Sequence, residues 1–242
     1  MSGILLPGRM NRRDSLRAGA LGAALWTTPG LFAEQLATPA MTEGPFYPDK
    51  LPLDTDNDLL ILNDSVTPAV GEITWLSGKV TNTSGEPLRN AFVEIWQVDT
   101  QGSYLHSGGR SERGPDINFQ GYGRFLTDSR GEYVFRTIRP VRYQAGNTVR
   151  APHIHVAVSR NGRRILTTQL LIADDPDNDN DGVLRAIRDP KLREMVVIPF
   201  RGLAGSQLGE LTARFDIVIG VTPDEGETEI RGGIAPAARR RQ

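Results

Sequence analysis

Cysteine is absent from this sequence, and histidine is nearly so. The 242 residues include three histidines, against 28 Lys and Arg and 29 Asp and Glu. Without cysteine the chain has no disulfide bonds, no thiolate metal ligands and no cysteine nucleophile, so a metal would need His, Tyr, Asp or Glu. The formal net charge of -1 gives no sign of a nucleic-acid partner.

Long apolar runs are missing as well. The most apolar stretch near the start, residues 18–26, is only weakly hydrophobic and too short to span a membrane. It follows the pair Arg12-Arg13, an arrangement typical of a twin-arginine export signal, although a chance pair before an alanine-rich helix is the alternative. We therefore expect residues 1–40 to be a signal peptide and linker. The mature protein would work in the periplasm or outside the cell, with no membrane span.

The rest of the chain reads as short strands separated by Gly, Pro, Asn and Asp. Alternating or β-branched segments occur at residues 72–80, 91–98, 153–158, 165–173 and 213–219. Residues 123–127 and 132–138 flank a turn at 129–131 and predict a hairpin, and residues 182–189 alone suggest a brief helix. This pattern predicts one all-β sandwich domain over residues 41–222, followed by a disordered tail at 223–242.

Two of the three histidines, His153 and His155, lie one residue apart in a predicted strand. Side chains at i and i+2 of a strand share a face, so both imidazoles point the same way while Ile154 points into the opposite layer. Paired imidazoles suggest a metal site; a solvent-facing or hydrogen-bonded pair is the alternative. Tyr143 and Arg150 in the same stretch favour the metal.

Several side chains could complete such a site. A zinc hydrolase would need a third histidine or a carboxylate; His106 is available in a loop, and no carboxylate is obviously placed. The remaining anionic donor is tyrosine. Two tyrosinates with hydroxide would neutralise three positive charges, which favours Fe(III) over Fe(II). Of the five tyrosines, Tyr133 is most simply a core residue, and the others are Tyr47, Tyr104, Tyr122 and Tyr143.

An ordered set of segments between residues 42 and 220 resembles the intradiol ring-cleavage dioxygenases, most of all the protocatechuate 3,4-dioxygenase type. Each segment is weak evidence alone, but all of them occur in the family's order. They are residues 42–47, 93–97, 121–128, 131–140, 168–170 and 214–217, together with Arg150-Ala151-Pro152-His153-Ile154-His155.

The resemblance implies a transthyretin-like β-sandwich that binds non-haem Fe(III) and acts on a small aromatic diol with O2, giving a cis,cis-muconate. It implies four metal ligands: Tyr104, Tyr143, His153 and His155, with Tyr122 as the alternative to Tyr104. Tyr143 would be displaced by substrate and accept a proton. Arg150 would stabilise developing negative charge, and Gln169 would position the substrate.

The sequence also departs from the protocatechuate enzymes. Residues 170–172 are aliphatic where those enzymes carry aromatic residues, and the loop at 144–149 lacks their tryptophan and arginine. Protocatechuate, catechol and hydroxyquinol therefore all remain open as substrates, as does the oligomeric state, homo-oligomers included. A His-ligated metal hydrolase and a non-catalytic transthyretin-like binding module are the competing interpretations.

One further motif, residues 177–182, matches the start of a calcium-binding loop. Position twelve of that loop would be Arg188 instead of the bidentate glutamate that calcium requires. We therefore expect a surface turn at residues 177–181 in place of a calcium site.

Overall fold

A computed structural model of the chain describes residues 34–62 and 66–220. The expected signal peptide and tail lie almost wholly outside this part. The described residues form twelve strands: β1 (Ile73–Asn82), β2 (Phe92–Trp96), β3 (Tyr122–Leu126), β4 (Glu132–Ile138), β5 (Tyr143–Ala145), β6 (Thr148–Arg150), β7 (His153–Arg160), β8 (Arg163–Ile172), β9 (Val197–Ile198), β10 (Arg201–Gly202), β11 (Leu211–Arg214) and β12 (Ile217–Ile219).

The helices are short. α1 spans Gly182–Ala186 and α2 spans Pro190–Glu194, with 3-10 turns at Ser107–Gly109 and Pro176–Asp179. The helix expected at residues 182–189 thus begins at the predicted residue and ends three residues early. Among the described residues, no helix has the length and apolar character needed to cross a membrane.

The first sheet is built around β1, the longest of its strands. β4 pairs antiparallel with β1 on one side, while β11 and β12 pair parallel with successive parts of its other side. Residues 213–219, expected as one strand, are therefore two. The break has a physical cause: the Asp216 carboxylate accepts the Lys79 amide at 2.9 Å, where a strand carbonyl would otherwise accept it.

The second sheet has the order β3-β2-β7-β8-β9. β7 and β8 form a hairpin that turns at Asn161 and Gly162, whose φ angles of 50° and 71° are both positive. Asn-Gly with two positive φ angles is the sequence preference of a tight type I′ turn, which matches the twist of the paired strands. The hairpin places β7, with its two histidines, in the middle of this sheet.

The hairpin predicted from residues 123–127 and 132–138 is wrong. β3 pairs with β2 in the second sheet, whereas β4 pairs with β1 in the first. The turn itself forms, because the Asp128 carboxylate accepts the amides of Arg130 and Glu132 at 2.9 and 2.8 Å. A turn signal is local and does not determine whether the chain stays in one sheet or crosses to the other.

Side chains from both sheets form one core. β2 contributes Val93 and Ile95, β7 contributes Ile154, Val156 and Val158, and all five are 0% exposed in a cluster with residues of β1 and β4. The predicted all-β sandwich is confirmed. Because strand residues alternate, the neighbours of these side chains on β2 and β7 must lie on the outer face of the second sheet.

Candidate metal centre

The outer face of the second sheet carries the histidine pair. His153 and His155 alternate with the core residues Ile154 and Val156, so both imidazoles leave the sheet on the side away from the core. In the neighbouring strands Trp96 of β2 and Gln169 of β8 lie directly opposite His155. Strand pairing thus fixes what surrounds the imidazoles.

Three donor atoms converge here, from the side chains of Tyr104, His153 and His155. The Tyr104 hydroxyl lies 3.3 Å from His153 Nε2 and 3.1 Å from His155 Nε2, and the two Nε2 atoms are 3.2 Å apart. Donors that bind one metal ion at about 2.1 Å are separated by about 3.0–3.4 Å at tetrahedral to octahedral angles. We name these three residues and Tyr143 the donor cluster, and its spacing fits a metal ion.

The protonation of the histidines also suits a metal. His153 Nδ1 lies 2.6 Å from the Ala151 carbonyl, which can only accept, so Nδ1 carries the proton and Nε2 presents its lone pair. The His155 ring stacks on Trp96 at 4.7 Å and 6°. Burial, with Arg150 nearby, lowers the pKa of His153 to about 4, and burial lowers that of His155 well below 6.5. Both imidazoles are therefore neutral near pH 7.

Tyr143, on β5, stands beside this group. Its ring is perpendicular to that of Tyr104, with centroids 5.1 Å apart, and its centroid is 5.5 Å from that of His153. Burial raises the pKa of both phenols, while hydrogen bonding to Tyr104 and the charge of Arg150 partly offset the rise for Tyr143. Without a cation both tyrosines are protonated; a bound cation would favour the phenolates.

Tyr122 belongs to a different cluster. Its hydroxyl donates to Glu94 Oε1 at 2.6 Å, and the same carboxylate accepts from Tyr47 and Arg164, each at 2.8 Å. Burial and the Glu94 charge raise the pKa of Tyr122. The structure therefore brings Tyr104, and not Tyr122, to the histidine pair.

The other candidate donors lie away from the histidine pair. Tyr133 donates its hydroxyl to the Phe215 carbonyl in the core, and His106 Nδ1 accepts the Gly108 amide at 2.9 Å. Within the described ranges, no group of three or more His, Cys, Asp or Glu side chains could hold a metal ion. The hydrolase arrangement, with a third histidine or a carboxylate, has no counterpart there.

Arg150 and Gln169 form one hydrogen-bonded unit next to the donor cluster. Arg150 donates to Gln169 Oε1 at 2.7 Å, and the Gln169 amide donates to the Thr42 carbonyl at 2.8 Å. The other edge of the guanidinium donates from Nε to Asp181 Oδ2 at 2.8 Å. Gln169, fully buried between these partners, supports Arg150 as well as lying opposite His155.

Asp181 is a site residue that the sequence did not reveal. We expected a surface turn at residues 177–181, but Asp181 is 0% exposed, so the prediction is wrong at that residue. Burial tends to raise its pKa, but hydrogen bonds from Arg150 and from backbone amides outweigh that effect and lower it. The available signal was an aspartate directly before a short helix, the usual position of an N-cap.

Residues 42–49, which we call the strap, cross the outer face of the second sheet next to the donor cluster. Phe46 stacks on Tyr104 with centroids 5.2 Å apart, and Glu43 pairs with Arg164 at 2.6 Å. Tyr47 donates to Glu94 and lies edge-on to Trp96 at 5.0 Å. Beside the strap, Tyr104, His153 and His155 are only 1–2% exposed.

A cavity of about 470 Å³ opens beside Tyr143. Phe46 forms part of its wall, and the remainder is lined by glycines and by polar side chains that include Gln101, Arg110, Glu112, Arg142 and Gln144. This volume lies within the usual range for small-molecule sites. The cavity therefore gives a small ligand a route to the Tyr143 side of the donor cluster.

Comparison with known proteins places the chain in a family. The dioxygenase family model Dioxygenase_C matches residues 42–220. The protocatechuate 3,4-dioxygenase alpha chain of Pseudomonas putida is 32% identical over 200 residues, 79% of this chain and 94% of its own. The beta chain from Burkholderia cepacia is 38% identical over 112 residues, 44% of this chain and 47% of its own.

A solved structure has the same fold. The dioxygenase domain of a dioxygenase carbohydrate-binding protein fusion from Streptomyces sp. SirexAA-E superposes with a TM-score of 0.58 at 27% identity, covering 77% of this chain and 100% of that domain. The chain spans 47–66% of the length of the first curated relatives that it matches, which include catechol and hydroxyquinol 1,2-dioxygenases. With a family match along most of the described residues, the chain belongs to the intradiol ring-cleavage dioxygenases.

Proposed function

We propose that this protein is an Fe(III) dioxygenase that cleaves catechol-type aromatics between the two hydroxyl-bearing carbons, inserts both atoms of O2 and yields a cis,cis-muconate. One observation carries the proposal. The Tyr104 hydroxyl lies 3.1–3.3 Å from two histidine Nε2 atoms, with the Tyr143 ring against both Tyr104 and His153. Tyr104, Tyr143, His153 and His155 would hold the metal.

The chemistry of the donors favours ferric iron. Two phenolates supply two negative charges and a bound hydroxide would supply the third, so this donor set with its two neutral imidazoles would neutralise a trivalent ion in a buried site. Bound there, Fe(III) would take both catechol oxygens and make the ring reactive toward O2. Family membership supports the same assignment.

The two tyrosines have different surroundings, which suggests different roles. Tyr104 is 1% exposed beneath Phe46, whereas Tyr143 is 8% exposed and lines the cavity. We therefore assign to the Tyr143 oxygen the acceptance of a catechol proton when substrate enters. Tyr104 stays in place and keeps the spacing of the two imidazoles.

Arg150 supplies positive charge beside this site. Its guanidinium lowers the pKa of Tyr143, by charge and by hydrogen bonding, against the larger effect of burial. A fixed cation of this kind stabilises negative charge that develops on substrate in a water-poor environment. Gln169 orients Arg150, and the strap keeps water away from the back of the donor cluster.

The substrate class follows from the cavity and the relatives together. The cavity accommodates a single aromatic ring with substituents, and Phe46 provides a face for that ring while Arg110 and Arg142 favour polar substituents. The names of the relatives include protocatechuate, catechol and hydroxyquinol dioxygenases, all acting on ring diols. We propose single-ring catechols as the class.

The test uses the absorbance of the iron-loaded protein. Tyrosinate bound to Fe(III) gives a visible charge-transfer band, so purified protein loaded with iron should be red-brown. Tyr104→Phe and Tyr143→Phe should weaken or shift the band. Tyr122→Phe is the matched control: it removes the same hydroxyl from a phenol bonded to Glu94 and should leave the band unchanged.

Oxygen uptake and muconate absorbance with a panel of catechols then test the reaction. A colourless iron-loaded protein, or a band lost only in Tyr122→Phe, would contradict the assignment. Iron binding and colour without oxygen uptake on any catechol would retain the metal site and favour the binding-module interpretation.

We also propose export by the twin-arginine route, on the evidence of Arg12-Arg13 ahead of a weakly apolar stretch. Replacing both arginines with lysine should leave the protein in the cytoplasmic fraction, while the unaltered chain appears in the periplasm or medium. Equal distribution of the two forms would rule this route out.

A further inference from the structure

We propose that Asp181 is a positioning residue that fixes the Arg150 guanidinium and, through the Ala151 main chain, the His153 ring. The role as part of catalysis rests on the proposed function above, but the positioning itself does not. Asp181 lies outside the donor cluster, on the loop before α1, and contacts none of the four donors through a hydrogen bond in the described residues.

Each oxygen of the Asp181 carboxylate accepts two hydrogen bonds. Oδ2 accepts Arg150 Nε at 2.8 Å and the Ala151 amide at 3.0 Å, while Oδ1 accepts the amides of Val183 and Leu184 at 2.9 and 3.0 Å. Four donors around a fully buried carboxylate fix its position, since moving it would leave several of them unpaired.

The contact on Arg150 determines the direction of the guanidinium. With Nε held by Asp181 and another edge held by Gln169 Oε1 at 2.7 Å, the plane of the group has two separate anchors. Its side chain is 11% exposed and that of Asp181 0%, so water competes little for these bonds. A buried, charge-assisted pair of this kind defines an orientation more strictly than a surface ion pair does.

The hydrogen bond between Asp181 and the Ala151 amide connects Asp181 to His153 through the Ala151 main chain. The Ala151 amide is bonded to Asp181, and the carbonyl of the same residue lies 2.6 Å from His153 Nδ1. This carbonyl sets both the tautomer and the ring orientation of His153. One carboxylate therefore holds the segment that supplies both the cation and one imidazole of the site.

Asp181 is also the N-cap of α1, so a loss of function on its replacement needs to be separated from loss of the cap. Asp189 caps α2 in the same way, accepting the Lys191 amide at 2.9 Å. Asp189→Asn is therefore the matched control. Asp181→Asn keeps an oxygen for the cap, because Asn is as good an N-cap as Asp, but it then presents to Arg150 and Ala151 an NH2 group, which cannot accept a hydrogen bond.

The first experiment measures the Arg150 Nε–H resonance in ¹H–¹⁵N spectra of the full metal-free chain, identified by its disappearance in Arg150→Met. A buried pair should give a sharp, slowly exchanging signal in the unaltered protein and in Asp189→Asn. Asp181→Asn, and Asp181→Ser measured in parallel as a second capping residue, should lose that protection. A protected signal retained in either Asp181 variant would overturn the proposal.

The second experiment is a double-mutant cycle on the iron-loaded enzyme. Asp181→Asn should lower kcat by about 10- to 100-fold, the scale expected when an electrostatic donor is misplaced, while Asp189→Asn stays within about twofold of the unaltered chain. In the Arg150→Met background the same change should cost less than about threefold, which is the part that acts through Ala151 and His153. Full additivity would contradict action through Arg150. If no form turns over any catechol, the proposed function fails while the resonance still decides the positioning.

Discussion

Tyr104 and Tyr122 carry the same phenol and follow similar glycine-containing stretches, but their partners differ. Tyr122 donates to the buried carboxylate of Glu94, whereas Tyr104 faces two imidazole nitrogens with no carboxylate between them. A phenol bonded to a carboxylate is stabilised as a neutral donor, and a phenol against neutral nitrogens is available to a cation. The partner, and not the residue type, separates the structural tyrosine from the candidate ligand.

The buried histidines predict how the metal-free protein responds to acid. Burial lowers the pKa of His153 from 6.5 to about 4, so the unfolded chain binds a proton more readily than the folded one between these values. Stability is therefore intact above about pH 6.5 and falls as the pH drops toward 4, by about 3 kcal/mol for this residue. Urea unfolding of the metal-free protein at several pH values measures the slope.

His153→Gln should make the decrease in stability with falling pH smaller, because one of the two buried histidines that titrate is removed. His106→Gln is the control, since its ring lies on a loop and accepts only the Gly108 amide among the bonds described above. A metal-free His153→Gln protein with an unchanged slope between pH 6.5 and 4 would show that other groups dominate.

At the scale of an element, β7 shows which structural features a sequence pattern predicts and which it does not. Strict alternation predicted that His153 and His155 share one face and Ile154 the other, and the structure has this arrangement. The same reasoning failed for β3 and β4, because their turn was recognised but their partners lie in separate sheets. Side-chain direction follows from local geometry, whereas strand partners depend on residues far away in the chain.

One position of β1, Gly78, has no room for a side chain. A Cβ at Gly78 would lie 1.9 Å from the Phe215 carbonyl oxygen and 2.7 Å from the Tyr133 hydroxyl, at the break between β11 and β12. Gly78→Ala should therefore lower the free energy of unfolding by about 3 kcal/mol or prevent folding, since the obstacle is backbone. Thermal or urea unfolding measures the loss.

Gly202→Ala is the matched control, because Gly202 lies in β10, which pairs with β11 at the edge of the same sheet, and a Cβ there meets nothing within 4 Å. Its stability should stay within about 0.5 kcal/mol of the unaltered protein. Equal losses for the two glycines would mean that strand propensity, and not the close approach of Phe215, sets the cost.

At the scale of the whole molecule, the sequence predicted the sandwich, and its resemblance to the family implied four donor residues that the structure brings close together, but neither gave the contacts around them. The donors carry recognisable chemistry in an ordered set of motifs. Asp181 lies outside these motifs, and the segments that hold Trp96 and the strap are among them but do not reveal what they contact, because those contacts form only when distant segments meet. Long-range contacts of this kind cannot be obtained from periodicity or spacing alone.

The strap predicts where the chain can be shortened. Residues 35–41 already bond to the sandwich, with the amides of Gln35, Thr38 and Met41 donating to Thr83, Val218 and Thr167. A variant beginning at residue 35 should keep its stability and visible band. One beginning at residue 50 loses Phe46 from Tyr104 and Tyr47 from Glu94, and should lose about 3 kcal/mol or more and the band.

Urea unfolding and the absorbance of iron-loaded samples of the two truncated forms make the comparison. An intact band in the variant that begins at residue 50 would show that the strap is dispensable for the donor cluster. Loss of stability in the variant that begins at residue 35 would instead place an essential contact earlier in the chain.

The strap also bears on how fast a bound metal ion could exchange. Tyr104, His153 and His155 are only 1–2% exposed, so a chelator could reach an ion held by them through the cavity beside Tyr143, or on the strap side only after residues 42–49 move. Local opening of such a segment has its own free energy, smaller than that of global unfolding. The part of the metal-exchange rate that a ligand filling the cavity does not block would then measure how often residues 42–49 open.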